Sequence, residues 1–174
     1  MTQTTTPNTS MPTIRHLLEA MDTTDRTIVR QITLAQANTD IAARLHTIIG
    51  YVSEDLVKNH IKTVRRALAI PARSDGRVRI AVLAVTSEFV PYSDIPYLAG
   101  TRPAATLATT ERTVLRRIVA GERTRAIATA LGMSESSVKH HMKQISHAYG
   151  VPAGHALRIR LAVTSLYHTR RTPS

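Results

Sequence analysis

The stretch SESSVKHHMKQISHAY, residues 134–149, has a close relative earlier in the chain, SEDLVKNHIKTVRRAL, at residues 53–68. Read in register, the two stretches share Ser, Glu, Val, Lys, His and Lys in the same order. Each begins with a serine, a common helix cap, and then places cations and apolar residues on opposite sides of a helix. The sequence therefore predicts one short basic helix that occurs twice.

The similarity extends on both sides of these stretches. Upstream, TDRTIVRQI (24–32) matches TERTVLRRI (110–118), and downstream PARSDGRVRIAV (71–82) matches PAGHALRIRLAV (152–163). Roughly 20 of about 56 aligned residues are identical with one gap, and self-similarity at this level indicates a duplicated structural unit. We therefore expect two copies of a domain of about 60 residues.

The composition favours helices. The 174 residues contain no Trp and a single Phe, so the core must be built from Leu, Ile, Val and Ala. Such side chains suit short helices that pack closely, whereas sheet-forming aromatics are nearly absent. The expected fold is all-α, with two tandem four-helix domains joined by a Pro-containing linker.

The charge points to a polyanionic partner. The formal net charge is +11 and the pI is about 11.0, which is typical of proteins that bind nucleic acid or acidic membranes. No apolar run approaches the roughly 18 residues of a membrane span, and residues 1–11 are polar, unlike a signal peptide. We expect no membrane partner and a cytoplasmic, bacterial nucleoid-associated protein. Zero Cys excludes disulfides and thiolate metal sites.

Composition shifts divide the chain into five segments. The expected organisation is a disordered Thr-rich tail (1–11), an N-terminal domain with a leading helix (12–87), a linker (88–106), a C-terminal domain (107–168) and an unstructured basic tail (169–174). The leading helix, within 12–21, either packs on the first copy or forms a dimer contact. The linker is apolar enough to lie against one or both domains.

Capping signals and 3.6-residue periodicity place four helices in each copy. In the first copy they run from Asp22 to about Leu34, from near Asn38, from Ser53 to about Ala69, and from about Ser74 to Ser87. In the second copy they lie near 109–119, 124–131, 134–149 and 153–167. A short helix, a turn and a longer basic helix form the helix-turn-helix pattern, whose second helix enters the DNA major groove.

Residues 107–151, LATTERTVLRRIVAGERTRAIATALGMSESSVKHHMKQISHAYGV, resemble the LuxR-type DNA-binding domain, also called the GerE or FixJ/NarL type. The matching residues are Leu107, Glu111, Arg112, Val114, Leu115, Ala120, Gly121, Ile127, Ala128, Leu131, Ser134, Glu135, Val138, Lys139, His141, Ile145, Gly150 and Val151. The first copy is more divergent but keeps Asp25, Arg26, Ile41, Ala42, Leu45, Ser53, Glu54, Val57, Lys58 and His60. The resemblance implies a sequence-specific regulator of transcription that binds double-stranded DNA.

Candidate base contacts lie on one face of each basic helix. Lys can donate to guanine O6 and N7, and Asn can bond adenine bidentately. The candidate base contacts are Lys139, His140 and Lys143 in the second copy. Their equivalents in the first copy are Lys58, Asn59 and Lys62. By resemblance, they are the positions that family members commonly turn toward base edges.

Candidate phosphate contacts are basic side chains and residues near helix N-termini. In the second copy they are Ser134, Thr124, Arg125, Gln144 and Arg123. In the first copy they are Ser53 and Arg65. His141 and His60 match a family histidine near the DNA backbone, so they are either phosphate contacts or packing residues.

Two features of the first copy differ from the family pattern. The segment HTIIGYV (46–52) makes its turn five residues longer, which either displaces the third helix or extends the second. Asp55 places an acidic group where phosphate would approach. Ten basic and six acidic residues give 22–86 a charge of +4, whereas nine and three give 108–168 a charge of +6. The second copy is expected to make the main DNA contact.

Other functions have less support in the sequence. The chain has no nucleophile elbow, phosphate loop or HExxH pattern, so neither an enzyme nor a cofactor is expected. A metal site at His140, His141 and His147 is not expected, because that helix has no carboxylate or Cys at ligand spacing. In the alternative functions, one copy is a module that binds RNA polymerase or another regulator, or the chain is a sigma-factor-like promoter-binding protein.

The oligomeric state has two alternatives. One chain with two copies can act as a pseudo-twofold monomer over two half-sites. Otherwise, chains form a homodimer through the apolar face of a fourth helix, with Ile159, Val163 and Leu166 or with Val78 and Leu83 at the contact.

Overall fold

The computed structural model describes residues 13–104 and 106–171, and in these ranges the fold is all-α without a strand. The expected tail 1–11 and residues 172–174 lie outside the described residues. None of the described helices is long and apolar enough to cross a bilayer. The helices are α1 (Ile14–Glu19), α2 (Thr23–Thr33), α3 (Asn38–Ile49), α4 (Glu54–Ala67), α5 (Gly76–Thr86), α6 (Thr109–Val119), α7 (Thr124–Leu131), α8 (Glu135–Tyr149) and α9 (Leu157–Arg171).

Helices α2–α5 are called the first unit here, and α6–α9 the second unit. The predicted caps of the basic helices are confirmed: Ser53 Oγ accepts from the amide of Leu56 at 3.2 Å, and Ser134 Oγ from that of Ser137 at 3.1 Å. Asp22 caps α2 in the same way. These side chains satisfy amides that have no partner inside the helix.

Helix α3 begins at Asn38, as predicted, and the Asp40 carboxylate accepts from the Ala37 amide at its start. Two other predicted helix starts were wrong. Helix α5 begins only at Gly76 and is capped by Asp75. Helix α9 begins late, at Leu157, and continues to Arg171.

Part of the expected unstructured tail is therefore helical. Residues 169–171 form the last turn of α9, where Thr169 Oγ1 donates to the Ser165 carbonyl at 2.8 Å. Arg170 is held by the Glu88 carboxylate at 3.1 Å. These contacts extend the helix beyond its apolar stripe.

Each unit buries the apolar positions that the two copies share. Those of the first unit are Ile28, Val29, Ile32, Ile41, Ala42, Leu45, Val57, Ile61 and Val64. Those of the second are Val114, Leu115, Ile118, Ile127, Ala128, Val138, Met142 and Ile145. Helix α1 packs against α5 and buries Leu18 completely, which confirms packing of the leading helix on the first unit.

The two units also share backbone conformations that sequence identity does not show. Ala35 and Gly121 follow α2 and α6 with φ of 61° and 76°, and Ala69 and Gly150 follow α4 and α8 with φ of 51° and 69°. In all four cases the next amide donates to a carbonyl five residues back, at 2.9–3.0 Å. This is the Schellman helix end, and it occurs at corresponding places in both units.

One arginine in each unit makes the same clamp. Arg77 at the start of α5 and Arg158 at the start of α9 reach back to the loop before the second helix of their own unit. Each donates to one carbonyl and one side-chain oxygen, namely Gln36 and Asn38 for Arg77, and Glu122 and Thr124 for Arg158. The matching contacts support a duplicated unit independently of sequence identity.

The longer turn of the first unit is absorbed by a helix. Helix α3 has 12 residues and α7 has 8, a difference of about one helical turn. Helix α4 still packs on α2 and α3, as α8 packs on α6 and α7. Of the two alternatives, the structure shows the extended second helix.

The units pack on each other through α5 and α9, which run side by side in the same direction. Asp75 pairs with Arg158 at the helix starts (3.0 Å), and Glu88 pairs with Arg170 beyond the ends (3.1 Å). The faces expected to form a homodimer are thus occupied inside one chain. Val78, Ile159 and Val163 are buried, and Leu83 and Leu166 are half-buried. A homodimer through these faces would require α5 and α9 to separate.

The linker lies against both units, as expected. It contains short 3₁₀ turns at Tyr92–Asp94 and Pro96–Leu98. The Tyr97 hydroxyl donates to the Thr33 carbonyl of the first unit at 3.0 Å, and Thr101 Oγ1 lies 3.0 Å from His168 Nε2 of the second. Its buried apolar side chains are Phe89, Val90, Ile95 and Leu98.

Candidate nucleic-acid interface

Helix α8 presents a row of cations to solvent. Because Val138, Met142 and Ile145 are buried, the opposite face exposes Lys139, His140, Lys143 and Gln144. His140 Nε2 lies 3.3 Å from Gln144 Nε2. Within residues 13–104 and 106–171, neither lysine of this face has an ion-pair or hydrogen-bond partner. Both ammonium groups are available to an incoming anion.

Helix α4 exposes the equivalent side chains, but they are already engaged. Lys58 Nζ donates to Asp55 Oδ1 at 2.8 Å, and Lys62 Nζ donates to Asn59 Oδ1 at 3.3 Å. The hydrogen bond and charge of Lys58 hold the pKa of the Asp55 carboxyl below its ordinary value. The corresponding position of α8 is Ser136, so only the first unit carries this neutralising acid.

The N-terminus of α8 carries a cluster of hydroxyls. Ser134 Oγ lies 2.7 Å from Ser136 Oγ and 2.8 Å from Ser137 Oγ, and it also caps the helix. Ser134 is exposed, and amides at a helix start favour an anion. Ser53 of the first unit is half-buried. It has no comparable hydroxyls beside it, since Asp55 and Leu56 occupy the positions of Ser136 and Ser137.

Three predicted phosphate contacts have partners inside the chain. Arg123 donates to the carbonyls of Ala72 and Ser74, and Arg65 donates to that of Pro71 at 2.8 Å. Thr124 Oγ1 accepts from Arg158. Arg123 thereby joins the second unit to the first, whereas Arg65 and Thr124 are held inside their own units and Arg125 is exposed.

The paired histidines differ in their surroundings. His60 Nδ1 lies 2.7 Å from Asp25 Oδ1, and the Asp25 carboxylate is nearly buried. In the second unit Glu111 occupies the equivalent position, but its carboxylate accepts from the Ala108 amide instead. His141 Nδ1 is buried without a hydrogen-bond partner among the described residues, so only Nε2 remains for a phosphate.

One group of described residues has metal-like spacing. Ligand atoms of Asp22, Asp25 and His60 lie within 4.8 Å of one another. The spacing follows from two hydrogen bonds: Asp22 caps α2 through the Asp25 amide at 2.7 Å, and Asp25 holds His60. These bonds account for the cluster without an ion. His140, His141 and His147, considered from the sequence, do not form such a group in the described part of the chain.

Sequence reasoning missed an exposed apolar patch at the junction of α3 and α4. Ile48 is 56% exposed, Ile49 53%, Tyr51 85% and Leu56 39%. Three of these four residues belong to or adjoin the segment that lengthens the first unit. The signal was present as the apolar letters of HTIIGYV, which were considered only for their length.

Fold and surface together define a helix-turn-helix DNA-binding protein, in which α7 and α8 are the two helices of the motif. Residues 105–151 match the family of bacterial regulatory proteins of the luxR type. The match covers α6, α7 and α8 and does not extend into the first unit. That family consists of DNA-binding regulators of transcription and not of enzymes. No curated protein and no solved structure matches the chain.

Proposed function

We propose that the chain regulates transcription by inserting α8 into the major groove of a specific double-stranded DNA sequence. Lys139, His140 and Lys143 are the proposed base contacts. The observation that carries this proposal is the unpaired state of the two lysines, since their counterparts on α4 are engaged. Unpaired cations lose no internal partner when they meet DNA.

The proposed phosphate contacts flank the same face. They are Ser134 at the helix start, Arg125 on α7, Gln144 and the Nε2 atom of His141. Arg123 is assigned to the contact between units, and Thr124 and Arg65 to contacts inside their own units. Ser53 and His60 of the first unit remain secondary candidates, as do Lys58, Asn59 and Lys62.

We further propose that the first unit is a divergent copy of the luxR-type domain. The shared core, the shared Schellman ends and the paired arginine clamps support this reading. Because α5 and α9 pair inside one chain, a single chain presents two unlike basic helices. The proposed binding unit is therefore a monomer.

A selection from randomised duplexes would first identify the bound sequence, and fluorescence anisotropy would then measure affinity. Replacing Lys139 and Lys143 by Ala should weaken specific binding by about 100-fold or more, since each good base contact is worth about 1–3 kcal/mol. The matched control replaces Lys58 and Lys62, which removes the same charge from the first unit. Its loss should be several-fold at most.

The salt dependence tests the mode of binding. The logarithm of affinity should fall linearly with the logarithm of salt concentration, with a slope of about 0.9 per phosphate contact. Circular dichroism would verify that both variants are folded. Unchanged affinity after loss of Lys139 and Lys143 would refute α8 as the recognition helix.

A second function for the first unit is supported by the exposed apolar patch. Ile48, Ile49, Tyr51 and Leu56 lie beside Glu54 and Asp55, and this surface suits a protein better than a phosphate backbone. In this alternative the first unit binds RNA polymerase or another regulator. Replacing Ile49 and Tyr51 by Ser should leave DNA affinity unchanged and weaken binding to purified bacterial RNA polymerase, measured by surface plasmon resonance. Equal polymerase binding by both proteins would exclude that partner.

A further inference from the structure

A cleft of about 330 Å³ opens where the two units meet. Its walls come from α4 and the start of α5 in the first unit, and from the starts of α7 and α9 in the second. The lining carries four guanidinium groups and one carboxylate, contributed by Arg65, Arg77, Arg123, Arg158 and Asp75. The cleft is therefore strongly cationic.

The single carboxylate does not neutralise this charge. Asp75 Oδ2 accepts from Arg158 Nε at 3.0 Å, and its other oxygen caps α5 through the Val78 amide. Among the described residues, Arg77 has no ion pair with a carboxylate and donates to an amide oxygen and a carbonyl. Burial lowers the pKa of the Arg77 guanidinium, while the charge of Asp75 acts in the opposite direction. An anion in the cleft would add to this favourable charge.

Two of the arginines come from different units and line the same cleft. Arg65 on α4 holds the Pro71 carbonyl, and Arg123 before α7 holds the carbonyls of Ala72 and Ser74. Both guanidiniums are thus anchored to the same short loop. Arg65 is further confined because its side chain lies over Gly76, where an added Cβ would be 2.4 Å from Arg65 Cδ.

Both anchored side chains keep donors to spare. Toward the described residues Arg65 donates through Nη2 and Arg123 through Nε and Nη2, although each guanidinium has five N–H groups. Guanidinium forks match the geometry of phosphate oxygens, and fixed ones lose little entropy on binding. Arg123 is exposed, so the site is open to solvent on one side.

We propose that this cleft is a phosphate-binding site built jointly by both units, with Arg65 and Arg123 as its recognition groups. The phosphate belongs either to a small phosphorylated ligand or to the backbone of bound DNA. A ligand held from both sides ties the units together and stabilises their arrangement. Regulation through this cleft would reach α4 and α7 directly.

Thermal unfolding with inorganic phosphate and with pyrophosphate, at constant ionic strength, tests the small-ligand source. The melting temperature should rise saturably, by roughly 3–6 °C at a ligand concentration about ten times Kd. The double variant Arg65→Gln, Arg123→Gln should lose the rise. The matched control Arg66→Gln, Arg116→Gln removes one exposed arginine from each unit outside the cleft and should keep it.

The DNA source is tested with the same variants on the selected duplex. If a backbone phosphate occupies the cleft, the Arg65/Arg123 variant should reduce the salt slope by about 0.9 relative to the control variant. A saturable shift identifies a small ligand, and a reduced slope alone identifies DNA. If neither change is seen, the proposal is overturned.

Two further comparisons keep the test decisive. Should the double variant not fold, the single change of exposed Arg123→Gln and the charge-preserving Arg123→Lys replace it, and Gln should weaken binding more than Lys. Loss of Lys139 and Lys143 should weaken specific DNA binding by about 100-fold or more and leave the phosphate effect intact. The cleft and the proposed function can therefore fail independently.

Discussion

Replacing Ala69 by glycine is expected to stabilise the protein, although alanine is normally the better helical residue. Ala69 has φ of 51° and is exposed, so its methyl group has a conformational cost without burial. A non-glycine residue in the left-handed region costs roughly 1–2 kcal/mol. Glycine also makes the unfolded chain more flexible, which lowers the free energy of unfolding by about 0.4–1 kcal/mol. The balance is a gain of roughly 0.5–1 kcal/mol, as Gly150 already provides at the matching position.

Urea denaturation, monitored by circular dichroism, would measure this gain in the free energy of unfolding. In thermal unfolding, the melting temperature of a chain of this size should rise by about 2–4 °C per kcal/mol. The control is Ala67→Gly, two residues earlier at the exposed end of α4, which should destabilise by up to about 1 kcal/mol. The reciprocal change Gly150→Ala should destabilise, because φ is 69° and the new Cβ would lie 3.3 Å from the Gly100 carbonyl oxygen. Equal losses from Ala67→Gly and Ala69→Gly would refute the left-handed end of α4.

Four other outcomes are expected. Gly121→Ala should lower the free energy of unfolding by about 2 kcal/mol in urea, since φ is +76° and the added Cβ would lie 2.4 Å from Arg79 Cγ. Asp75→Ala should cost about 2 kcal/mol in the same assay, because it leaves the half-buried Arg158 guanidinium without its carboxylate. Burial lowers the pKa of His168 below 6.5, so stability should be full above that pH and decline as pH falls, and His168→Gln should flatten the profile in thermal unfolding. Sedimentation velocity should show one chain, free and on the selected duplex.

The parts that could be predicted from the sequence depend on neighbours along the chain. Ser53 and Ser134 cap their helices because a hydroxyl needs only the amide three residues on. Apolar positions repeated every three or four residues indicated the buried faces of α2 and α8, because helical periodicity is also local in sequence. Lys139 and Lys143 were placed on the solvent face by this periodicity alone.

The parts that could not be predicted depend on distant partners. The ion pair of Asp75 with Arg158 joins residues 83 positions apart, and no residue pattern near Asp75 predicts it. Arg123 looked like a phosphate contact because it precedes a helix, but the loop after α4 supplies carbonyls that hold it. The apolar stripe of α9 looked like a dimer contact. Its partner in the structure is α5 of the same chain, which is distant in sequence.

The contrast between the units separates what maintains the fold from what meets a partner. The arginine clamps, the Schellman ends and the apolar cores agree in both units. The differences lie on the surface: Asp55 and Leu56 stand where α8 has serines, and the added turn of α3 exposes Ile48 and Tyr51. Because α5 packs on α9, the first unit must keep its core whatever its surface binds. The surface differences agree with the proposed second function, in which the first unit binds a protein. Since α5 and α9 fix its position, DNA bound by α8 would carry that surface to a defined place beside the operator.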